Sequence, residues 1–238
     1  MSLVAGRVAL VTGASRGIGA ATAEVLAREG ATVIRVARSL REGSHGRFQD
    51  IPCDLTDAAQ VDRLAARVIE QHGAPDIVVS NAGAFLLRPL ESTSATELEL
   101  QLAANIKAPF AVAKGFLPAM RAAGRGSFIT VGSVADHIGL PENAAYAASK
   151  YGLRGLHETL LAEYAGTGVR LTLVSPGPTD TAVWDPVDPD RHAGLIPRAA
   201  MLTSADVAEA ILFVATRPSH VLIDWLRLAP TGKTSAHR

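Results

Sequence analysis

The chain has 238 residues, enough for one large domain, and 48% of them are hydrophobic, so a sizeable core can be buried. Its 23 basic and 23 acidic residues cancel, which argues against a general nucleic-acid or acidic-membrane binder. The single cysteine, Cys53, excludes an internal disulfide and fits a reducing compartment. No apolar run approaches the ~20 residues of a membrane span, and the N-terminus runs straight into a strand-like segment with no secretory leader. A soluble, cytoplasmic protein without a membrane partner is expected.

In chain order, short apolar runs alternate with longer helix-like stretches, the pattern of an α/β protein built on a parallel sheet. "RVALVTG" reads as a first strand, apolar on both faces. A helix follows from about 17 to 29, with Gly30 placed to end it. "ATVIRVA" is a second strand and "RFQDIPCD" a third, followed by a helix near 57–72 and a fourth strand in "DIVVSNAG". A long helical region covers about 94–122, with Pro109 and Pro118 as expected irregularities. "GSFITVGS" is the fifth strand, 143–165 the next helix and "VRLTLVSPG" the sixth strand. "LTSADVAEAILFVA" opens with a capping-box pattern, Thr203-x-x-Asp206, and continues as an amphipathic helix; "VLIDWLRL" is a last strand. No linker, repeat or low-complexity segment interrupts the series, so residues 1–238 are expected to form one domain, a doubly wound parallel sheet of about seven strands. Such a sheet binds ligands at the carboxyl ends of its strands, where the loops "TGASRGIG", "NAG", "VGS" and "SPGPTDT" fall.

The first of these loops spaces Gly13, Gly17 and Gly19 as GxxxGxG between a strand and a helix. Glycine lets the backbone approach a pyrophosphate, and the helix N-terminus favours its charge. The loop residues Gly13, Ser15, Arg16, Gly17, Ile18 and Gly19 are therefore candidate cofactor contacts. A site for NAD usually has an acid at the end of the second strand. Here that region reads "VIRVARS", with no acid before Glu42. Arg16 and Arg38 are suited to clamp a 2′-phosphate, so NADP(H) is expected over NAD(H), and Arg35, on the other face of its strand, is read as incidental. Asp54 and Leu55, after the third strand, are candidates for the adenine end; Asp54 read alone equally suits a helix cap.

The chain sets Tyr146 and Lys150 one helical turn apart, on one face of a helix, although it has three tyrosines and four lysines among its 23 basic residues. Together with "TGASRGIG", "CDLT", "NAG", Asn105, "GS" at 132–133 and "PGPTDT", the segment "YAASK" makes the sequence resemble the short-chain dehydrogenase/reductase family from about residue 3 to 214. The resemblance implies a Rossmann-like fold and the conversion of a small-molecule carbonyl compound to an alcohol, or the reverse. It implies Tyr146 as acid/base, Lys150 lowering the tyrosine pKa and orienting the nicotinamide ribose, Ser133 holding the substrate oxygen, and Asn105 anchoring a water-linked proton path. Asn81, Ala82 and Gly83 match the segment beside the cofactor ribose. Pro176, Gly177, Thr179 and Thr181 match the segment at the nicotinamide, while Thr12 is read as a buttress of the loop. A homodimer or homotetramer built on the two long helices is also implied.

Other signals carry less. "TGKT" at 231–234 lacks the upstream glycine of a phosphate-binding P-loop, the seven histidines show no metal-ligand spacing, and Cys53 reads as structural. His137 is a candidate pocket residue or a solvated loop histidine. A substrate loop is expected at about 182–202, carrying Trp184, His192 and Arg198, with Arg198 a candidate for a substrate carboxylate. The C-terminal "PSHVLIDWLRLAPTGK" differs from the Gly-rich ending of the β-ketoacyl carrier-protein reductases, and this disfavours that alternative. A non-catalytic NADP-binding sensor would be expected to lose the reactive positions, and all four are intact.

Overall fold

The Val-, Ile- and Leu-rich runs do pair into one sheet. In the computed structural model, which describes residues 2–192 and 194–231, the strands are β1 (Val8–Thr12), β2 (Thr32–Val36), β3 (Gly43–His45), β4 (Phe48–Ile51), β5 (Ile77–Ser80), β6 (Gly126–Val131), β7 (Val169–Pro176) and β8 (Trp225–Leu228). Their spatial order is β3-β4-β2-β1-β5-β6-β7-β8, so the winding reverses between β1 and β5. All pairs are parallel except β3 with β4. The helices are α1 (Gly17–Arg28), α2 (Ala58–His72), α3 (Ala95–Leu102), α4 (Ala108–Ala123), α5 (Ala144–Glu163) and α6 (Ser204–Ala215).

Both sheet faces are covered, as the continuous apolar strands require. Ala9 and Val11 of β1 join α1 and α6 residues in one core, while Leu10 between them joins α2 and α4 in the other. The largest fully buried side chain is Phe116 of α4. The Thr203–Asp206 box caps α6 reciprocally: the Thr203 hydroxyl accepts from Asp206 N, and the Asp206 carboxylate accepts from Thr203 N.

Two features differ from the sequence expectation and one adds to it. The sheet has eight strands, because β3 adds a short antiparallel edge whose three exposed residues, Gly-Ser-His, carry no apolar pattern. Arg35, read as incidental to the cofactor, does lie off the cleft and has a structural part instead: it sits opposite Asp50 in the β2–β4 register and makes a bidentate pair with it at 2.6 and 2.7 Å, stacked on Phe48. The long helical region breaks earlier than the prolines themselves, into a π-helical turn over Ala103–Lys107. Pro109 has no N–H for the Asn105 carbonyl one turn back. The turn widens, and Ala108 N donates five residues back, to Ala103 O. The "TGKT" segment falls largely outside the described residues. Among those described, no helix is long and apolar enough to cross a membrane.

The start of α1 packs directly on the loop after β1. A Cβ on Gly19 would lie 2.3 Å from the Gly13 carbonyl oxygen, a backbone atom that cannot swing aside. Gly19→Ala should therefore destabilise the fold by about 1–3 kcal/mol. The check is the denaturant midpoint at unchanged m-value; an unshifted midpoint would mean that the loop relaxes freely.

Candidate active site

The loops after β1, β5, β6 and β7 open onto a single large cleft of about 1080 Å³. This exceeds the ~300–1,000 Å³ of an ordinary small-molecule pocket, leaving room for a large ligand and a smaller one together. Every candidate catalytic or cofactor residue lines it except Gly19 and Asn105, which act from behind.

On one side lies the glycine loop. Gly13 and Gly17 have positive φ (65° and 57°), bringing the loop over the start of α1. Thr12 is the buttress: its fully buried hydroxyl donates to Val79 O and accepts from Asn81 N (2.9 Å) and Ala82 N (3.1 Å), locking the "NAG" segment to β1. Asn81 Nδ2 returns a hydrogen bond to Thr12 O. Side chains cap α2, α3 and α6, but none caps α1, so its first N–H groups face the cleft without a side-chain acceptor. Arg16 and Arg38 are exposed on the cleft wall, and among the described residues neither is in an ion pair. Glu42, the first acid after β2, is paired with Arg67 at 2.8 Å. Asp54 is not the cap of α2; Asp57 is, accepting from Ala59 N and Gln60 N. The Asp54 carboxyl lines the cleft, and hydrogen bonds from Thr56 hold it below the usual carboxylate range.

On the other side stand Ser133, Tyr146 and Lys150. Helical spacing puts the last two on one face of α5, with the ammonium 5.7 Å from the phenol ring centroid. Lys150 is 5% exposed and donates to Val131 O at the end of β6. Burial pulls its ammonium from the ordinary 10.5 down to about 8, against a smaller pull upward from Asp136. The Tyr146 hydroxyl goes the opposite way from the expectation. Burial pushes it up to about 12, outweighing the hydrogen bond with Ser133, and the Asp136 charge adds to the rise.

Asn105 sits in the π-helical turn, fully buried. Its amide closes a two-way pair with the Ala84 backbone, accepting at 3.0 Å and donating at 2.9 Å, and also donates to Ser149 Oγ at 3.0 Å. Ser149 Oγ donates in turn to Tyr146 O. The same amide explains Gly83: a Cβ there would lie 2.7 Å from Asn105 Oδ1. Asn105 thus ties the strand end after β5 to the helix that carries Tyr146 and Lys150.

Asp136 was missed. Fully buried, its Oδ2 accepts from Ser133 N (3.1 Å) and Ser175 Oγ (2.6 Å), and its Oδ1 lies 2.6 Å from His137 Nδ1. The signal was in the sequence, since Ser133-x-x-Asp136 is itself a capping-box pattern. Ser133 Oγ accepts from Ala135 N, which leaves its O–H directed elsewhere. His137 lines neither the cleft nor solvent: it is held by Asp136 and packs edge-on against Trp225. Arg198 is not available to a carboxylate, being paired with Asp180 (2.7 Å) and Asp185 (2.6 Å). Cys53 is buried and burial raises its thiol pKa, as suits a structural cysteine. No cluster of three or more potential metal ligands occurs among the described residues.

Burial of Lys150 sets a pH dependence of stability. Between about 8 and 10.5 the unfolded chain binds more protons at this residue than the folded one, so its contribution to stability rises with pH across that window. Relative to Lys150→Met, the native chain should gain roughly 3 kcal/mol across it. Urea titrations at several pH values check this; a difference that stays flat would contradict the burial of the charge.

Comparison with known proteins agrees with the geometry. The family model described as "short chain dehydrogenase" matches residues 7–192. A D-threitol dehydrogenase of Mycolicibacterium smegmatis is 35% identical, over 89% of this chain and 86% of that protein. A metagenomic short-chain oxidoreductase solved in complex with NADP is 34% identical, with TM-score 0.81 over 97% of this chain and 100% of that one. An alcohol dehydrogenase of the archaeon Thermococcus sibiricus, complexed with 5-hydroxy-NADP, is 27% identical, with TM-score 0.81 over 94% and 97%.

Proposed function

The chain belongs to the short-chain dehydrogenase family of oxidoreductases, and from that premise we propose that it interconverts a carbonyl compound and an alcohol with NADP(H), using Tyr146 as acid/base. The observation that carries the reading is the convergence of Ser133, Tyr146 and Lys150 on the same cleft as the glycine loop. The residues present fit a dinucleotide. The uncapped first turn of α1 and the glycine cradle suit a pyrophosphate. Pro176, Gly177, Thr179 and Thr181 line the cleft between the two halves. When bound, the cofactor supplies or accepts the hydride and, oxidised, carries a positive charge near the site.

In the reducing direction the Ser133 O–H donates to the substrate oxygen and holds the carbonyl for attack. As the C–H bond forms, the carbonyl π electrons move onto that oxygen, which takes the Tyr146 proton. The Lys150 ammonium stabilises the resulting phenolate. With its pKa brought down to about 8, it also exchanges protons close to neutral pH and can restore the tyrosine. Asn105 holds the helix of both residues in register, and a water-linked path from it to Lys150 belongs to this proposal.

Preference for NADP(H) rests on the exposed Arg16 and Arg38 guanidinium groups at the cleft and on Glu42 being engaged by Arg67. NADP and 5-hydroxy-NADP in two solved relatives support it. A homodimer or homotetramer is supported by the exposed Leu98, Leu100, Phe110 and Tyr151 on α3, α4 and α5.

The test measures turnover of a carbonyl and alcohol panel with NADPH, NADH and their oxidised forms, in the native chain and in Arg38→Asp. We expect turnover favouring NADPH, and a fall of about 10–100-fold in the NADPH/NADH ratio of kcat/KM for the variant, as for loss of one charge-assisted contact. An unchanged ratio would contradict the 2′-phosphate clamp. Absence of turnover with either cofactor across the panel would contradict the oxidoreductase reading.

A further inference from the structure

Beyond Tyr146 the cleft has a wall of a different chemistry from the cofactor half. The Phe85 ring meets the Tyr146 ring edge-on, with centroids 5.0 Å apart, and packs tilted against the Trp184 ring, with centroids 4.8 Å apart. Phe85 comes from the segment after β5 and Trp184 from the loop after β7, so two separate elements build one aromatic surface beside the Tyr146 ring. The one polar group of Trp184 is already engaged, its indole N–H donating to Thr179 O at 3.0 Å. What it presents is apolar ring. Leu87, Leu140, Val183 and Ile196 line the same cleft.

The polar groups nearby do not form an anion site. Arg198, the one arginine of the loop placed to receive a carboxylate, is held by Asp180 and Asp185 and does not line the cleft. Glu142 and His192, which do line it, are paired with each other at 3.4 Å. The Asn143 side chain, 3% exposed, lines this end of the cleft with its Oδ1 unpartnered, a single acceptor for one substrate donor. Among the described residues, the remaining cations on the cleft are Arg16 and Arg38, in the cofactor half, and Lys150, tied to Val131 O. A keto acid would bring its charge to a wall whose cations, among the described residues, are engaged or lie in the cofactor half, and a polyol could satisfy one hydroxyl on Asn143 Oδ1 while leaving others facing aromatic carbon.

Building on the oxidoreductase reading, we propose that this site selects an uncharged ketone or aldehyde, and the matching alcohol, bearing a bulky apolar substituent, best an aromatic one, that packs on Phe85 and Trp184. Aromatic pairs of this kind favour edge-to-face or offset contact and add to the gain from burying apolar area.

The experiment compares three NADPH-dependent reductions by the full-length enzyme: an aryl alkyl ketone, a polyhydroxyketone and a 2-keto acid. It is repeated with Trp184→Ala, and the melting temperature of the NADPH-loaded enzyme is read with each compound. We expect kcat/KM to be highest for the aryl ketone, by tenfold or more, and only that ketone to raise the melting temperature. In Trp184→Ala the aryl ketone should lose about 10–100-fold of kcat/KM, mainly through KM, and so lose most of its lead over the polyhydroxyketone. Better turnover of the polyhydroxyketone or the keto acid would overturn the proposal while leaving the oxidoreductase reading standing, as would an unaltered ratio in Trp184→Ala. Loss of all three reductions in an enzyme that still binds NADPH would instead remove the reading beneath it.

Discussion

The arrangement depends on keeping a lysine ammonium out of water beside a phenol. Lys150 is 5% exposed, and burial, partly offset by Asp136, depresses its basicity to about 8. A charge so placed persists only where the surrounding structure compensates it. Three devices do so. The Val131 carbonyl at the end of β6 accepts from Nζ, the Asp136 carboxylate raises its pKa through space, and the Asn105–Ser149 hydrogen bond fixes the neighbouring turn of α5. The last of these needs the π-helical turn in which Asn105 sits. A backbone irregularity in the α3–α4 region is thereby linked to the position of a charge on a different helix.

A second layer runs through Asp136. This one carboxylate joins the Ser133 backbone, the Ser175 hydroxyl of β7 and the His137 ring. Ser175 Oγ also accepts from the Trp225 indole of β8, and the Arg154 guanidinium of α5 stacks on that indole at 4.4 Å. The β6 loop carrying Ser133, the last two strands and helix α5 are held by a single buried polar network, which fixes direction in a way that apolar packing does not. Gly132 is part of this closeness: a Cβ there would lie 2.3 Å from Asp136 Oδ2.

Much of this was legible in the sequence because it is local. The strands, the helix starts and the loops at the strand ends follow from apolar runs and from Gly, Pro and capping residues, and the Thr203–Asp206 box reads directly. The placing of Tyr146 and Lys150 on one face follows from helical spacing. What stayed hidden depends on tertiary environment. The rise of Tyr146 to about 12 comes from desolvation, which no spacing reveals. The engagement of Arg198 by Asp180 and Asp185 needs the fold of the loop, as does the meeting of Phe85 with Trp184 from elements about a hundred residues apart. Strand β3 was too short and too exposed to leave a pattern.

The central claim is that Tyr146 delivers the proton in a cleft that binds the cofactor independently of it. Its most direct test is NADPH oxidation in the presence of a reducible carbonyl by the native chain and by Tyr146→Phe, with NADPH affinity of both measured by fluorescence. The account predicts a loss of at least 10²-fold in kcat, as expected for removal of a general acid, with NADPH affinity retained. Equal kcat in the two proteins would contradict it.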